Sequence, residues 1–343
     1  MPQKLRSDLT TYIDDLLLPI QSETGTIQKS ELDLICQNIT GALYAAVSNE
    51  HLNQIFSQEN IYEKGDVVCE QDSAGREMYY IKEGEVNVYI EGSLVAILGP
   101  GEIFGEMSLF YNIKRSATIK AAGDDTRVGV LSRKALENLF KKSEPYASEL
   151  IHRLYNILPD RLRNLNDKYK TAIRTLHVIF EGDEEEIPEL DCLHEDFSHK
   201  EVNFFPTLTQ IEKKKIYGRL ESYRPGEVIF AEGDRGYGAY FILEGEVKVV
   251  VPSKSSNEIF LGRLQQGEIT GEMALIDDKP RSATVVALTP CKMAFISKKT
   301  FAEFTRNRSE LGLRLMGFIC LSLFRRILRL DEIYSDIKKR IKV

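Results

Sequence analysis

A glutamate and an arginine nine residues apart occur at two places in the chain, each time within the same short motif. The motif reads GEIFGEMSLFYNIKRSAT in its first copy and GEITGEMALIDDKPRSAT in its second, with eleven of eighteen positions identical, and we call it the cassette. Arg115 and Arg281 each offer a planar, permanently charged group that fits two phosphate oxygens. Glu106 and Glu272 can only accept hydrogen bonds, which suits sugar hydroxyls. The two residue types together indicate a binding site for a ribose phosphate.

A glycine precedes the glutamate in both copies of the cassette. Gly105 and Gly271 let the backbone approach a ligand closely and adopt angles that other residues avoid. The segments that follow, EMSLF and EMALI, can begin a helical turn whose free N–H groups face an anion. A buried Glu–Arg pair without a ligand is the alternative explanation of a single copy. Its occurrence twice in the same register favours a binding site.

The repeat extends from the cassette to whole domains. YEKGDVVCEQDSAGREMYYIKEGEVNVYI begins at Tyr62, and YRPGEVIFAEGDRGYGAYFILEGEVKVVV begins at Tyr223. The offset between the copies is 161 residues here and 166 in the cassette, because the VVVPSKSSNEIFL hairpin carries five extra residues. A repeat of this length indicates a duplicated domain, since solenoid units are only about 20–50 residues long.

The elements that must position the cassette are short strands with helices on either side. Alternating β-branched runs such as EVNVYIEG and EVKVVVPS, punctuated by Gly or Asp, are typical of an antiparallel barrel or jelly roll. We therefore predict an α+β fold with two antiparallel β jelly-roll domains and flanking helices. The predicted segments are an N-terminal helical region at 1–47, a first binding domain at 48–155, a helical and acidic connection at 156–203, a second binding domain at 204–305 and a C-terminal helix at 306–343.

Composition narrows the class of protein. A chain of 343 residues, 43% of them apolar, suits two or three domains. Its 52 acidic and 45 basic side chains give a net charge of −7, which argues against nucleic acid as a partner. No apolar run reaches membrane-spanning length, the N-terminus has no hydrophobic signal core, and the five scattered cysteines fit reduced thiols. We expect a soluble, cytoplasmic protein without a transmembrane segment.

The cassette resembles that of cyclic nucleotide-binding domains, such as those in the regulatory subunits of cAMP-dependent protein kinase and in the bacterial catabolite activator protein. The matching features are FGE-M-S-L, R-S-A-T, the upstream G-E and the EGD turn, within residues 48–150 and 204–310. The resemblance implies that Gly-Glu binds the ribose 2′-hydroxyl, that Arg neutralises the cyclic phosphate together with two backbone N–H groups, and that a β-branched residue packs on the base. The residues assigned in this way are Val88, Gly105, Glu106, Ser108, Arg115 and Ser116 in the first site, and Val249, Gly271, Glu272, Ala274, Arg281 and Ser282 in the second.

The resemblance also implies a function. It points to a receptor without catalysis, which binds a cyclic nucleotide, changes conformation and so regulates a protein partner. Family members that prefer cGMP tend to place Thr directly after the cassette arginine, whereas both copies here have Ser, so cAMP is the expected ligand. The alternatives are cGMP or a cyclic dinucleotide as ligand, and a kinase-regulatory or scaffold subunit as the type of protein. No other cofactor and no metal ion are expected.

The chain departs from family patterns in three respects. Kinase regulatory subunits carry an inhibitory Arg-Arg-x-Ser/Ala segment before the first domain, but no adjacent arginines precede residue 48. Arg325-Arg326 reads instead as part of the polar face of the terminal helix. The stretch after Thr305 is too short for the helix-turn-helix and wing of catabolite-activator-like regulators. The sixty-odd residues between the copies exceed the direct helical link of the kinase subunits.

Two further segments have alternative interpretations. The C-terminal helix has an apolar face that we expect to pack against the second domain or against a second subunit in a homodimer, with contact to a membrane surface or a partner as the alternative. This face comprises Leu311, Leu315, Phe318, Leu321, Phe324 and Leu328. The Cys, His and acidic residues within 191–199 match no common zinc spacing, so we expect no metal site there.

Overall fold

The computed structural model describes residues 50–111, 113–142, 144–179, 208–252, 258–277, 279–306 and 309–341. The predicted N-terminal helices, the acidic part of the connection and the 191–199 cluster lie outside these residues. The chain divides into two compact units. The first unit ends at Leu139 and excludes 110–113, and the second contains 110–113 and the chain from Phe140 onwards.

The first unit contains two four-stranded antiparallel sheets, in the orders β1-β8-β3-β6 and β2-β7-β4-β5. The non-consecutive order shows that the chain crosses repeatedly between sheets, as in a jelly roll. Its strands are β1 (Gln58–Tyr62), β2 (Val67–Cys69), β3 (Glu77–Glu83), β4 (Val86–Ile90), β5 (Ser93–Leu98), β6 (Ile103–Phe104), β7 (Thr118–Ala121) and β8 (Thr126–Ser132). Two helices, α1 (Glu106–Tyr111) and α2 (Arg133–Lys142), begin within this unit.

The second unit repeats this topology strand for strand, with sheets β14-β11-β16-β9 and β10-β15-β12-β13. Its strands are β9 (Leu220–Tyr223), β10 (Val228–Phe230), β11 (Gly238–Glu244), β12 (Glu246–Val251), β13 (Ile259–Gln265), β14 (Ile269–Thr270), β15 (Thr284–Ala287) and β16 (Cys291–Ser297). Its helices are α3 (Glu144–Ile179), α4 (Gln210–Ile216), α5 (Met273–Ile276), α6 (Lys298–Arg306) and α7 (Glu310–Ile341). The predicted α+β fold with two jelly rolls is confirmed.

Alternation along the strands builds the core of each jelly roll. In the first, Tyr79, Ile81 and Val86 lie in one cluster of buried side chains, and in the second Ile242 and Val247 lie in the corresponding cluster. One side chain in two turns inward, because successive residues of a strand face opposite sides of the sheet. Each cassette contains a short strand at the edge of a sheet, β6 or β14, so a packed β-scaffold fixes the residues directly before Gly105 and Gly271.

The long helices lie in the second unit. Helix α3 runs without interruption through the domain boundary predicted at residue 155, and it contains Pro159. The predicted boundary at residue 155 thus lies inside helix α3, and the predicted domain boundaries stay a prediction. Helix α7 buries most of the predicted apolar face, namely Leu315, Phe318, Leu321, Phe324 and Leu328, within this unit. Within the part of the chain that the structure describes, no helix has the length and apolar character needed to cross a membrane.

Candidate functional site

A glycine with a left-handed backbone angle precedes the glutamate in both cassettes. Gly105 has φ of 75° and Gly271 has φ of 71°, backbone angles that residues with a Cβ rarely adopt. A Cβ at either position would lie 2.4 Å from Nη1 of the cassette arginine, Arg115 or Arg281. Glycine is therefore required twice over, by the backbone angle and by the guanidinium packed against it.

Backbone carbonyls hold the guanidinium of the first site. Arg115 donates from Nη1 to the Gly105 carbonyl at 2.8 Å and from Nη2 to the Glu77 carbonyl at 2.7 Å. Its Nη1 also donates to Oγ of Ser108 at 2.8 Å. The guanidinium lies 5.2 Å from the centre of the Tyr79 ring. These contacts fix the orientation of the cation before any ligand binds.

The second site repeats this arrangement with two changes. Arg281 donates from Nη1 to the Gly271 carbonyl at 2.7 Å and from Nη2 to the Gly238 carbonyl at 2.8 Å, in the positions equivalent to the first site. Ala274 replaces the serine that hydrogen-bonds to the first arginine. Phe230 packs against the guanidinium, with its ring centre 4.1 Å from Cζ, where the first copy has Cys69.

A turn from the preceding strand clamps the main chain of each arginine. In the first site the Arg115 carbonyl accepts from the Asp72 N–H, and the Arg115 N–H donates to the Ser73 carbonyl, both at 2.9 Å. The EGD turn does the same for Arg281 through the Gly233 N–H and the Asp234 carbonyl, also at 2.9 Å. Each arginine is thus fixed at its backbone as well as at its side chain.

Both guanidinium groups are buried, and their charge has no ion-pair partner among the described residues. Arg115 is 6% exposed and Arg281 is 9% exposed. Among the described residues, no carboxylate lies within ion-pair distance of either group, and a buried cation is costly unless a charge compensates it. Burial lowers the pKa of Arg281 from its ordinary value, although nearby Tyr240, Glu272 and Asp234 oppose this shift. An anionic ligand would supply the missing charge.

The cassette glutamates are also buried. Glu106 is 2% exposed and forms the first residue of α1, and Glu272 is fully buried directly before α5. Both oxygens of Glu272 accept from Nη1 of Arg326 in α7, at 2.8 and 3.0 Å. Arg326 also donates from Nη2 to the Ile269 carbonyl. The C-terminal helix therefore contacts the acidic group of the second site directly.

The structure brings all the predicted residues of the second site together, and several of those of the first site. All six predicted for the second site, Val249 included, line one cavity of about 40 Å³. In the first site, hydrogen bonds join Gly105, Ser108 and Arg115, and Glu106 follows the glycine in the chain. Val88 packs against the core cluster that Ala117, next to Ser116, also contacts. Val88 and Val249 each directly precede a shift in strand register, at equivalent positions.

One expected hydrogen-bond donor is already engaged within the protein. The resemblance implied that the Ala274 N–H contacts phosphate, but this group donates to the Gly271 carbonyl at 3.2 Å. Ser282, the other residue implied to supply an N–H in that site, lines the cavity, and its hydroxyl lies 3.6 Å from the Met273 sulfur. The Ala274 N–H is therefore not free to contact a ligand in this structure.

Three residues around the second site were missed from the sequence. Phe230 lies on a strand and reads as a core residue, and Arg163 lies on α3, far from the cassette in the sequence. Arg326 was interpreted as part of a polar helix face, and this interpretation is wrong, since its side chain is only 18% exposed and binds Glu272. The only available signal was the basic residue itself within an apolar helical stretch.

Comparisons with known proteins match both copies of the repeat. A family model described as "Cyclic nucleotide-binding domain" matches residues 59–143 and 220–308. A cGMP-dependent protein kinase from Eimeria tenella is 26% identical over 260 residues, which are 75% of this chain and 20% of that protein. A cAMP-dependent protein kinase regulatory subunit from Debaryomyces hansenii is 30% identical over 244 residues, 71% of this chain and 44% of that protein. This chain thus spans less than half the length of both relatives.

A solved structure, the regulatory domain of Toxoplasma gondii PKA in a co-crystal with cAMP, is 24% identical to this chain. The alignment covers 74% of this chain and 84% of that chain, with a TM-score of 0.25.

Proposed function

The chain belongs to the cyclic nucleotide-binding domain family, as its motifs predicted, and on that premise we propose that it is a receptor for 3′,5′-cyclic mononucleotides with one site in each jelly roll. The observation that carries the proposal is the pair of buried guanidinium groups, Arg115 and Arg281, that have no carboxylate partner among the described residues. Each lies beside a glycine turn and a buried glutamate, so a single ligand can supply an anion to one group and hydroxyls to the other.

We expect cAMP to be the preferred ligand at both sites. The residue after the cassette arginine is Ser116 in the first site and Ser282 in the second, where relatives that prefer cGMP tend to have threonine. The names of the curated relatives include both cAMP- and cGMP-dependent kinases, so the choice of base depends on these positions. A tenfold preference for cGMP in competition at either site would overturn the assignment for that site.

In the second site, binding has a direct route to a helix. Glu272 accepts from Arg326 of α7, and a ribose hydroxyl would donate to the same carboxylate. A ligand shifts a conformational equilibrium only if it contacts the two states differently, and a shared carboxylate provides that difference. Binding therefore changes how firmly α7 is held. We place the output of the receptor at this helix, as regulation of a protein partner that the relatives suggest is a kinase catalytic subunit.

The protein acts in this proposal without catalysis, in the cytoplasm. The free thiols Cys69, Cys291 and Cys320 suit a reducing compartment. No cofactor beyond the cyclic nucleotide is assigned.

Calorimetry of the full chain with cAMP, cGMP and a cyclic dinucleotide tests the proposal. We expect two moles of cAMP per chain, weaker binding of cGMP and no binding of the dinucleotide. The variant Arg115→Ala/Arg281→Ala should lose cAMP binding. Arg127→Ala, which removes a half-exposed arginine of the first barrel outside the cassette, is the matched control and should bind as the unmodified chain does. Binding by the double variant with unchanged stoichiometry and affinity would contradict the proposal.

A further inference from the structure

Arg163, on helix α3, reaches the second cassette. Its Nη2 donates to both carboxylate oxygens of Asp277, at 3.0 and 3.1 Å. Its Nη1 donates to the carbonyl of Pro280 at 3.2 Å, directly before Arg281. The side chain is 16% exposed and lines the same cavity as the predicted ligand-binding residues. One guanidinium thus holds the segment between the end of α5 and the phosphate-binding arginine.

Asp277, the residue that Arg163 binds, makes several further hydrogen bonds. Asp277 ends α5, and its N–H donates to the Met273 carbonyl at 3.1 Å. Its carbonyl accepts from Nζ of Lys298 at 3.0 Å, and its side chain accepts from the Lys279 N–H at 3.2 Å. Asp277 is thus held through its N–H, its carbonyl and its carboxylate.

A second contact from α3 reaches the other side of the arginine. Lys170 forms an ion pair at 3.1 Å with Glu232, in the turn that clamps the main chain of Arg281. Between these contacts along α3, the buried Tyr169 donates its hydroxyl to the Phe260 carbonyl at 3.2 Å. Helix α3 therefore fixes both segments that meet at the backbone of Arg281.

The first cassette has no acidic residue at the equivalent positions. Asp277 corresponds to Tyr111 and Glu232 to Gln71, so neither ion pair with α3 has a counterpart there. We therefore expect helix α3 to hold the arginine of the second site and not that of the first.

We infer that Arg163 is a positioning residue for ligand binding at the second site, because it holds the Asp277–Pro280 segment so that Arg281 points into the cavity. This inference rests on the proposed function and names the residue that sets the affinity of one of its two sites. Loss of the Arg163 contacts leaves the side-chain hydrogen bonds of Arg281 but frees the chain on its N-terminal side, so the bound geometry must be ordered when the ligand binds.

The test uses the full chain with Arg115→Ala as the parent, so that only the second site binds cAMP. Arg163→Ala should weaken binding about tenfold, the scale of one lost charge-assisted contact. Arg163→Lys keeps the charge but not the fork and should fall between. Asp277→Asn should weaken binding similarly, and the double variant should be no weaker than either alone, because both changes break one contact. Lys168→Ala, an exposed cation on the same helix, is the matched control and should match the parent.

Amide hydrogen exchange at Arg281, measured without ligand, separates this inference from the proposed function. Arg163→Ala should speed exchange of the Arg281 N–H, which donates to Asp234, several-fold over the parent and over Lys168→Ala. If the parent binds no cAMP, the proposed function fails, and the exchange result alone then decides the role of Arg163. Unchanged exchange, or unchanged affinity in a parent that binds, overturns the inference. Additive losses in the double variant would also overturn it, since they would mean that the two residues act separately.

Discussion

The two cassettes share the atoms that hold the arginine and differ at several of the positions around it. Both guanidinium groups donate to a glycine carbonyl and to a carbonyl of the neighbouring strand, and both backbones are clamped by a turn. Around this shared frame the first site has Cys69, Ser108 and Lys114, where the second has Phe230, Ala274 and Pro280. Both copies keep the geometry that holds the arginine, and the neighbouring residues make the two cassettes different.

The surroundings of the two arginines differ in polarity. In the first site, hydroxyl and thiol groups surround Arg115, and the exposed Lys114 adds charge next to it. Burial raises the pKa of the Cys69 thiol, with the nearby Arg115 opposing the shift, so the thiol is neutral at pH 7. In the second site an aromatic ring and a proline surround Arg281, and helices α3 and α7 contact the cassette. We therefore expect the second site to be more preorganised and less sensitive to salt.

The largest expected effect comes from the glycine that the two sites share. Gly105→Ala or Gly271→Ala should weaken cAMP binding at its own site at least about 100-fold, because the Cβ would displace the guanidinium and strain a left-handed backbone. The measurement is calorimetric stoichiometry, which should fall from two to one in either variant. Gly99→Ala, at a position with open space around a Cβ, is the control and should keep two. Full stoichiometry in both cassette variants would mean that the turns do not form the sites.

The ion pair between Glu272 and Arg326 is expected to stabilise the second unit against unfolding. Arg326→Ala leaves a fully buried carboxylate without its partner, so we expect the free energy of unfolding of the second unit to fall by about 3 kcal/mol. Thermal unfolding should measure this loss, and hydrogen exchange should show that it is located in residues after Phe140. Arg314→Ala removes an arginine of the same helix whose ion pairs, with Glu310 and Glu212, are partly exposed to solvent, and it should cost less than about 1 kcal/mol. Equal losses in the two variants would contradict this difference.

Replacing Phe230 by the residue of the first site should make the affinities of the two sites more similar. Phe230→Cys removes a ring that lies 4.1 Å from the Arg281 guanidinium, a contact worth about 1 kcal/mol, so second-site affinity should fall about fivefold. Titration in the Arg115→Ala background measures this, and the first site, measured in the Arg281→Ala background, should not change. An increase in second-site affinity would show that the ring obstructs the ligand.

The smallest expected effect is the response to salt. Lys114 is exposed beside Arg115 and adds about 0.5 kcal/mol at low ionic strength, a contribution that salt screens. Pro280 occupies the same position in the second site and restricts the backbone, which salt does not alter. Raising the salt concentration should therefore weaken the first site about twofold more than the second. Lys114→Gln should remove this difference, and a steeper salt dependence of the second site would contradict it.

The sequence predicted what the repeat itself contains. Both jelly rolls and both glycine turns follow from residues within one copy, where spacing along the strands and the turn fixes the geometry. The partners from outside the repeat could not be predicted in this way. Arg326 is 54 residues from Glu272, and Arg163 is 114 residues from Asp277. Their positions depend on how α7 and α3 pack in the second unit, and the periodicity of a helix shows which face is buried but not what it contacts.

Titration of the two single-arginine variants with cAMP tests the central claim most directly. The claim is that the chain has two separate, non-equivalent sites. Arg115→Ala should bind one mole of cAMP per chain at the second site, and Arg281→Ala should bind one mole at the first site with lower affinity, at both low and high salt. Two moles bound by either variant would contradict the assignment of Arg115 and Arg281, and tighter binding by Arg281→Ala at both salt concentrations would contradict the order of the two sites.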